Sequence, residues 1–115
     1  MKTIIAGSRE GFVFDEVVRA VEESGFEITE VVSGGARGVD RFGESWANLN
    51  NVPIKQFIPD WDGLGKKAGH VRNRDMGDYA DALIALWDGV SKGTKGMIEY
   101  AEKKGLKVYV FKKEI

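Results

Sequence analysis

Apolar and polar positions along this chain alternate between two periods, and each change of period marks a new element. "KTIIAG" (residues 2–7) reads as a short strand rich in β-branched residues. Between Val13 and Ser24, apolar residues fall at Phe14, Val17, Val18 and Val21, the i, i+3, i+4, i+7 spacing of an amphipathic helix. Asp15 and Glu16 suit its first turn, and Gly25 stands just past its end. "EITEVVS" (27–33) is the second strand, and Val39, Phe42, Trp46 and Leu49 form the stripe of a second helix. "VPIKQFIP" (52–59) is the third strand, with Pro53 and Pro59 near its ends because proline cannot serve a central ladder. A looser "DWDGLG" (60–65) leads into a third helix, "KKAGHVRNRDMGDYA" (66–80). "DALIALWDG" (81–89) is the fourth and most continuously apolar strand, and "VSKG" a loop. "TKGMIEYAEKKG" (94–105) is a helix with Thr94 as its expected N-cap and Gly105 past its end, and "LKVYVFK" (106–112) closes as a fifth strand.

Strands alternating with helices imply right-handed βαβ crossovers. The expected fold is α/β: a three-layer Rossmann-like sandwich with a mostly parallel five-stranded sheet and helices on both faces. At 115 residues the chain is read as a single domain, 1–115, with one core. In such sheets ligands sit beyond the carboxyl ends of the strands. The loops leaving each strand are therefore where chemistry is expected.

Composition narrows the chemistry. With no cysteine and one histidine, the chain has neither a disulfide framework nor the makings of a zinc site, and no metal is expected. Seventeen basic residues against eighteen acidic ones argue against bulk attraction to nucleic acid. The N-terminal apolar stretch is too short for a signal peptide or membrane span, so no membrane association is expected and the cytoplasm is the default location.

The loops themselves are unusual. The first, "AGSREG", offers Gly7, the Ser8 hydroxyl and the Arg9 guanidinium. The second, "SGGARGVD", offers Gly34, Gly35, Ala36 and Gly38 at a strand-to-helix turn, followed by Asp40. Glycines there let backbone N–H groups approach an anion, to which the helix adds its positive end. The spacing is neither GxGxxG nor a Walker motif, so neither NAD binding nor NTP hydrolysis follows. The third loop carries Trp61, Lys66, Lys67, His70, Arg72 and Arg74, and the fourth, "WDGVSKGT", carries Asp88, Lys92 and Thr94. Each feature also has a plain structural reading: turn glycines, solvated cations, a capping histidine, Trp46 in the core, and Trp61 or Trp87 as either core or a base-stacking platform. Arg9, Arg37, Lys66, Lys67, Arg72, Arg74, Lys92 and Lys95 nonetheless gather at one edge of a near-neutral protein, which suits a compact anion such as a nucleotide or sugar phosphate.

Taken together and in order, "AGSRE", "GGARGVD…WA", "GKKAGHVRN..M" and "DALIALWDGVSKGT" resemble the SLOG superfamily, in its YspA-like, cpYpsA-related branch. That superfamily includes the LOG phosphoribohydrolases, the DNA-uptake protein DprA and sensor domains for nucleotide-derived signals. The resemblance implies a Rossmann-like fold, a nucleotide-type ligand and a homodimer. It assigns ligand contacts to Gly7, Ser8, Arg9, Gly34, Gly35, Gly38 and Asp40, then to Arg72 and Asn73 in the helix that runs to Met76. Gly93 and Thr94 match the glycine-threonine pair of the hydrolases' PGGxGTxxE motif, and Lys92 beside them is a further phosphate partner.

One departure is chemical. Counting on from Gly93-Thr94, the position of the hydrolases' catalytic glutamate is Met97. An oxocarbenium-like transition state is stabilised by a carboxylate and not by a thioether. The leading expectation is therefore a binding protein for a nucleotide or nucleotide-derived ligand, acting as sensor, carrier or sequestering module, with no cofactor required and a role for magnesium left open. An N-ribosyl hydrolase using Asp88 or Asp40 is the alternative. A DprA-like single-stranded nucleic-acid binder, stacking bases on Trp61, is the third.

Overall fold

The computed structural model describes residues 1–114. Five strands form one sheet in the order β3-β2-β1-β4-β5: β1 (Lys2–Gly7), β2 (Glu30–Ser33), β3 (Ile54–Gln56), β4 (Ala82–Trp87) and β5 (Lys107–Lys112). All four strand pairings are parallel, from Lys2 opposite Glu30 to Trp87 opposite Lys112. The fold is thus the expected α/β Rossmann-like sandwich.

Adjacent residues of a strand point to opposite faces, so a sheet buried on both sides needs apolar side chains in an unbroken run. Ile5, Ile84 and Leu86 pack on one face with Val17 and Ala20 of α1 (Phe14–Ser24) and Val39 and Ala47 of α2 (Val39–Leu49). Ile4, Leu83 and Ala85 pack on the other face. Their partners are Met76 of α4 (Ala68–Tyr79) and Met97, Ile98 and Ala101 of α5 (Lys92–Lys103). The strand order reverses between β1 and β4, which opens a crevice at their carboxyl ends.

Local departures from the sequence reading have physical causes. β3 shortens to Ile54–Gln56. The loose stretch after Pro59 winds into α3 (Trp61–Leu64) and a 3₁₀ turn (Gly65–Lys67), because the Asp60 carboxylate caps the Gly63 N–H at 2.9 Å. Ser91, not Thr94, caps α5: its hydroxyl accepts from the Thr94 N–H at 3.4 Å, so cap and helix start shift three residues earlier and the helix begins at Lys92. Leu49, read as part of the α2 stripe, is 72% exposed at the helix end. Gly25 does end α1, in the left-handed conformation (φ 69°).

Candidate functional site

An open cleft of about 510 Å³ occupies the crevice between the ends of β1 and β4. Gly7, Ser8, Arg9 and Glu10 enter it from β1, and Ala36, Arg37 and Asp40 from the turn into α2. Arg72, Asn73 and Met76 of α4 form one wall; Asp88, Ser91, Gly93, Thr94 and Met97 form another. Of the residues singled out in the sequence, Gly7, Ser8, Arg9, Ala36, Asp40, Arg72, Asn73, Asp88, Gly93 and Thr94 therefore converge.

Gly34, Gly35, Gly38 and Lys92 do not line the cleft, and Gly34 shows why a glycine was needed all the same. Arg72 Nη1 donates to the Gly34 carbonyl at 2.7 Å, and a Cβ on Gly34 would collide with that guanidinium. The glycine leaves room for the Arg72 guanidinium. Gly38 (φ 80°) similarly presses its backbone against the Arg9 carbonyl, where a side chain would clash. Several of the turn's amides are already taken. Gly35 donates to Ser33 Oγ at 3.1 Å, Ala36 to Asp40 Oδ2 at 3.3 Å and Val39 to the Ser8 carbonyl at 3.4 Å. Three amides of "GGARGVD" are thus spent within the chain, one of them on the Asp40 carboxylate, and the anion-seeking groups that line the cleft are mainly guanidinium.

Trp61 also falls elsewhere. It is 52% exposed on α3, beside Gly69, and does not reach the cleft. Nor does the basic edge form one surface: Lys67, His70 and Arg74 line a separate groove of about 430 Å³ between α4 and α5. Ala6, Glu10, Ser91 and Met97 line the cleft without having been proposed as ligand contacts. Ser91 was recognisable as the acceptor-bearing residue three before Thr94. The apolar Ala6 and Met97 carry no local signal.

The electrostatics centre on a buried carboxyl. Asp40 is 5% exposed, and burial pushes its pKa up to about 6, against the opposing pull of the Ala36 N–H and the Arg72 charge; Glu44 adds to the rise. Arg72, half-buried, is itself drawn below the usual guanidinium value by burial and by the nearby Arg9, with Asp40 opposing. It stays charged. Its Nε donates to Asn73 Oδ1 at 2.9 Å, which with the Gly34 bond fixes the guanidinium plane. Arg37 sits further out and meets Glu10 at 3.2 Å in solvent.

On the opposite wall, Asp88 Oδ1 accepts from the Val90 and Ser91 N–H groups at 2.8 and 2.7 Å. Those bonds hold its carboxyl below the usual range, with a smaller pull from Ser8. Asp88 is therefore an ionised turn-former, suited to accepting hydrogen bonds and not to donating a proton. The Ser8 hydroxyl lies near it, yet beyond hydrogen-bond geometry, and is a buried polar atom without a partner. With Ser8 6% exposed, such an orphan is uncommon and costly. Among the described residues no three histidine, aspartate or glutamate side chains are grouped to hold a metal ion, and no helix is long and apolar enough to cross a membrane.

The cleft thus presents three guanidinium groups, that of Arg37 already paired with Glu10, together with one orphan hydroxyl, a carboxyl poised near neutrality and the start of a 12-residue helix. Its chain has relatives. Residues 1–63 match the profile of the YspA, cpYpsA-related SLOG family. The chain is 34% identical over 120 residues to the Gene 61 protein of Mycobacterium phage D29, spanning 96% of this chain and 95% of that one. Among solved structures, DNA processing protein A (DprA) from Streptococcus pneumoniae matches with a TM-score of 0.75 at 19% identity over 95% of this chain. The chain spans about half (49%) of that protein's length, and the likeness is one of fold. The profile match and the phage relative together establish that this chain belongs to the YspA, cpYpsA-related SLOG family.

Proposed function

We propose that the cleft binds the phosphate-bearing part of a nucleotide or nucleotide-derived molecule. The observation that carries this reading is the convergence of Arg9, Arg72 and the unpartnered Ser8 hydroxyl on one crevice at the switch in strand order. Two cations facing the same hollow repel each other until an anion lies between them, and a planar guanidinium fixed at two of its nitrogens is preorganised for bidentate phosphate. The first turn of α5, where Gly93 exposes bare backbone, adds N–H donors at the positive end of the helix. Asp88 Oδ2, left over from the turn, suits a ribose hydroxyl. The test has two arms. Native mass spectrometry of protein purified from cells looks for a retained nucleotide. Calorimetry then compares nucleoside 5′-monophosphates with wild type and Arg72→Gln, where loss of one charge-assisted bidentate pair should weaken binding by about tenfold or more. Wild-type protein that binds neither nucleotides nor ribose 5-phosphate overturns the reading.

Asp40 supports a second reading, hydrolysis of an N-ribosyl bond. Met97, buried at the cleft wall, replaces the carboxylate such chemistry uses, but a buried acid with pKa about 6 is suited to proton transfer near neutral pH. Release of free base and ribose phosphate tests it. Turnover that vanishes in Asp40→Asn and survives Glu99→Gln supports hydrolysis, and its absence across the common nucleotides leaves binding alone.

A further inference from the structure

The second groove, between α4 and α5, plays no part in the cleft, yet it shares one wall with it. Asn73 lines both hollows. The groove is bordered by Lys67, His70 and Arg74, and its remaining walls are Gly96 and Tyr100. Although its residues are polar by name, the atoms that line it are mostly carbon. A surface of carbon with cationic heads at its border suits a flat heteroaromatic ring better than a second phosphate, which needs donors on the walls themselves.

Tyr100 is held in place for such a role. Its ring packs against Gly77 of α4, where a Cβ would approach to 2.7 Å, and its hydroxyl donates to Asp78 at 2.6 Å. Lys104 pairs with the same Asp78 at 3.2 Å. Gly77 is thus a glycine that the fold requires. Gly93 and Gly96 are not. Both lie in α5 without positive φ, and apart from their chain neighbours and the backbone of their own helix nothing lies within 4 Å of where their Cβ would be. Glycine weakens a helix at exposed positions, and nothing in the packing of this protein offsets that cost. One of the two lines the cleft and the other lines the groove. They are three residues apart and share one helix face, so bare backbone runs from one hollow to the other.

We propose that the groove is the base subsite of the nucleotide whose phosphate occupies the cleft. The ring stacks on Tyr100, crosses α5 over Gly93 and Gly96, and meets the Asn73 amide at the divide. This rests on the reading of the cleft given above, and it moves the stacking platform from Trp61 to Tyr100.

The test is calorimetry on the full chain at fixed salt, with ribose 5-phosphate, AMP, GMP, CMP and UMP as probes. At least one nucleotide should bind tighter than ribose 5-phosphate by about tenfold or more, the factor expected of one stacked base. Gly96→Leu, a good helix former in open space, should erase most of that advantage while altering ribose 5-phosphate affinity little. Nucleotides that bind no tighter than the sugar phosphate, or an advantage that survives Gly96→Leu, sink the base subsite and leave the cleft standing. If no probe binds wild type, both readings fall together. If adenosine 3′,5′-bisphosphate outbinds AMP and Arg74→Gln removes the gain, the groove takes phosphate and the base assignment is wrong.

Discussion

Asp40 offers a quantitative handle on the cleft that needs no ligand. Its carboxyl titrates at about 6 in the folded protein against 3.8 for an unperturbed aspartate, and the largest cause is burial. A folded-state pKa above the unfolded value means that the fold favours the protonated form. The associated stability is therefore fully present below pH 3.8 and is lost as pH rises through about 6. At about 1.4 kcal/mol per pH unit, the shift corresponds to roughly 3 kcal/mol by neutral pH. Asn at this position keeps a carbonyl for the Ala36 N–H and carries no charge at any pH. The stability of Asp40→Asn minus that of wild type should thus climb by roughly 3 kcal/mol between pH 3.5 and 7. Urea denaturation across that range measures it, and taking the difference cancels carboxylates common to both proteins. Urea is preferable to guanidinium because salt would screen the Arg72 and Arg9 charges. A flat difference would mean that Asp40 is not desolvated in the fold. A falling one would mean that the attraction of Arg72 outweighs burial, leaving Asp40 a salt-bridged carboxylate with no proton to lend.

Other consequences follow from single contacts. Gly34→Ala places a methyl group against the Arg72 guanidinium; it should cost about 1–3 kcal/mol of stability by overpacking and weaken nucleotide binding, both read on one purified variant. Gly93→Ala meets no neighbour, so it should stabilise α5 by about 1 kcal/mol and raise the thermal midpoint by several degrees while reducing phosphate affinity. A destabilised Gly93→Ala would show that the position is constrained by the fold after all. Asp88→Ala removes the acceptor for the Val90 and Ser91 N–H groups. Because the folded pKa of Asp88 is depressed, the penalty should be complete at neutral pH and fade as pH falls through and below 3.8, which denaturation at two pH values checks.

Much of this architecture could be read from the chain alone because it rests on local periodicity. The apolar run "ALIAL", short and bounded by Asp81 and Gly89, fits a strand buried on both faces, and the spacing of Phe14, Val17, Val18 and Val21 fits a helix with one buried side. Alternation of the two kinds of element then forces parallel crossovers and places the ligand edge at the ends of the strands, where Arg9, Arg72 and Asp88 were found. The sequence could not say what each glycine is for. Gly34 serves Arg72 from 38 residues away, and Gly77 serves Tyr100 across a helix interface. Spacing along the chain carries no information about contacts of that range. Nor could residue counts divide the basic edge into a guanidinium cleft and a carbon-walled groove, or bury Asp40 deeply enough to move its proton toward neutrality. Charge, burial and the direction of a hydrogen bond are set by neighbours in space, and only the packing of α2, α4 and α5 around the ends of β1 and β4 decides who those neighbours are.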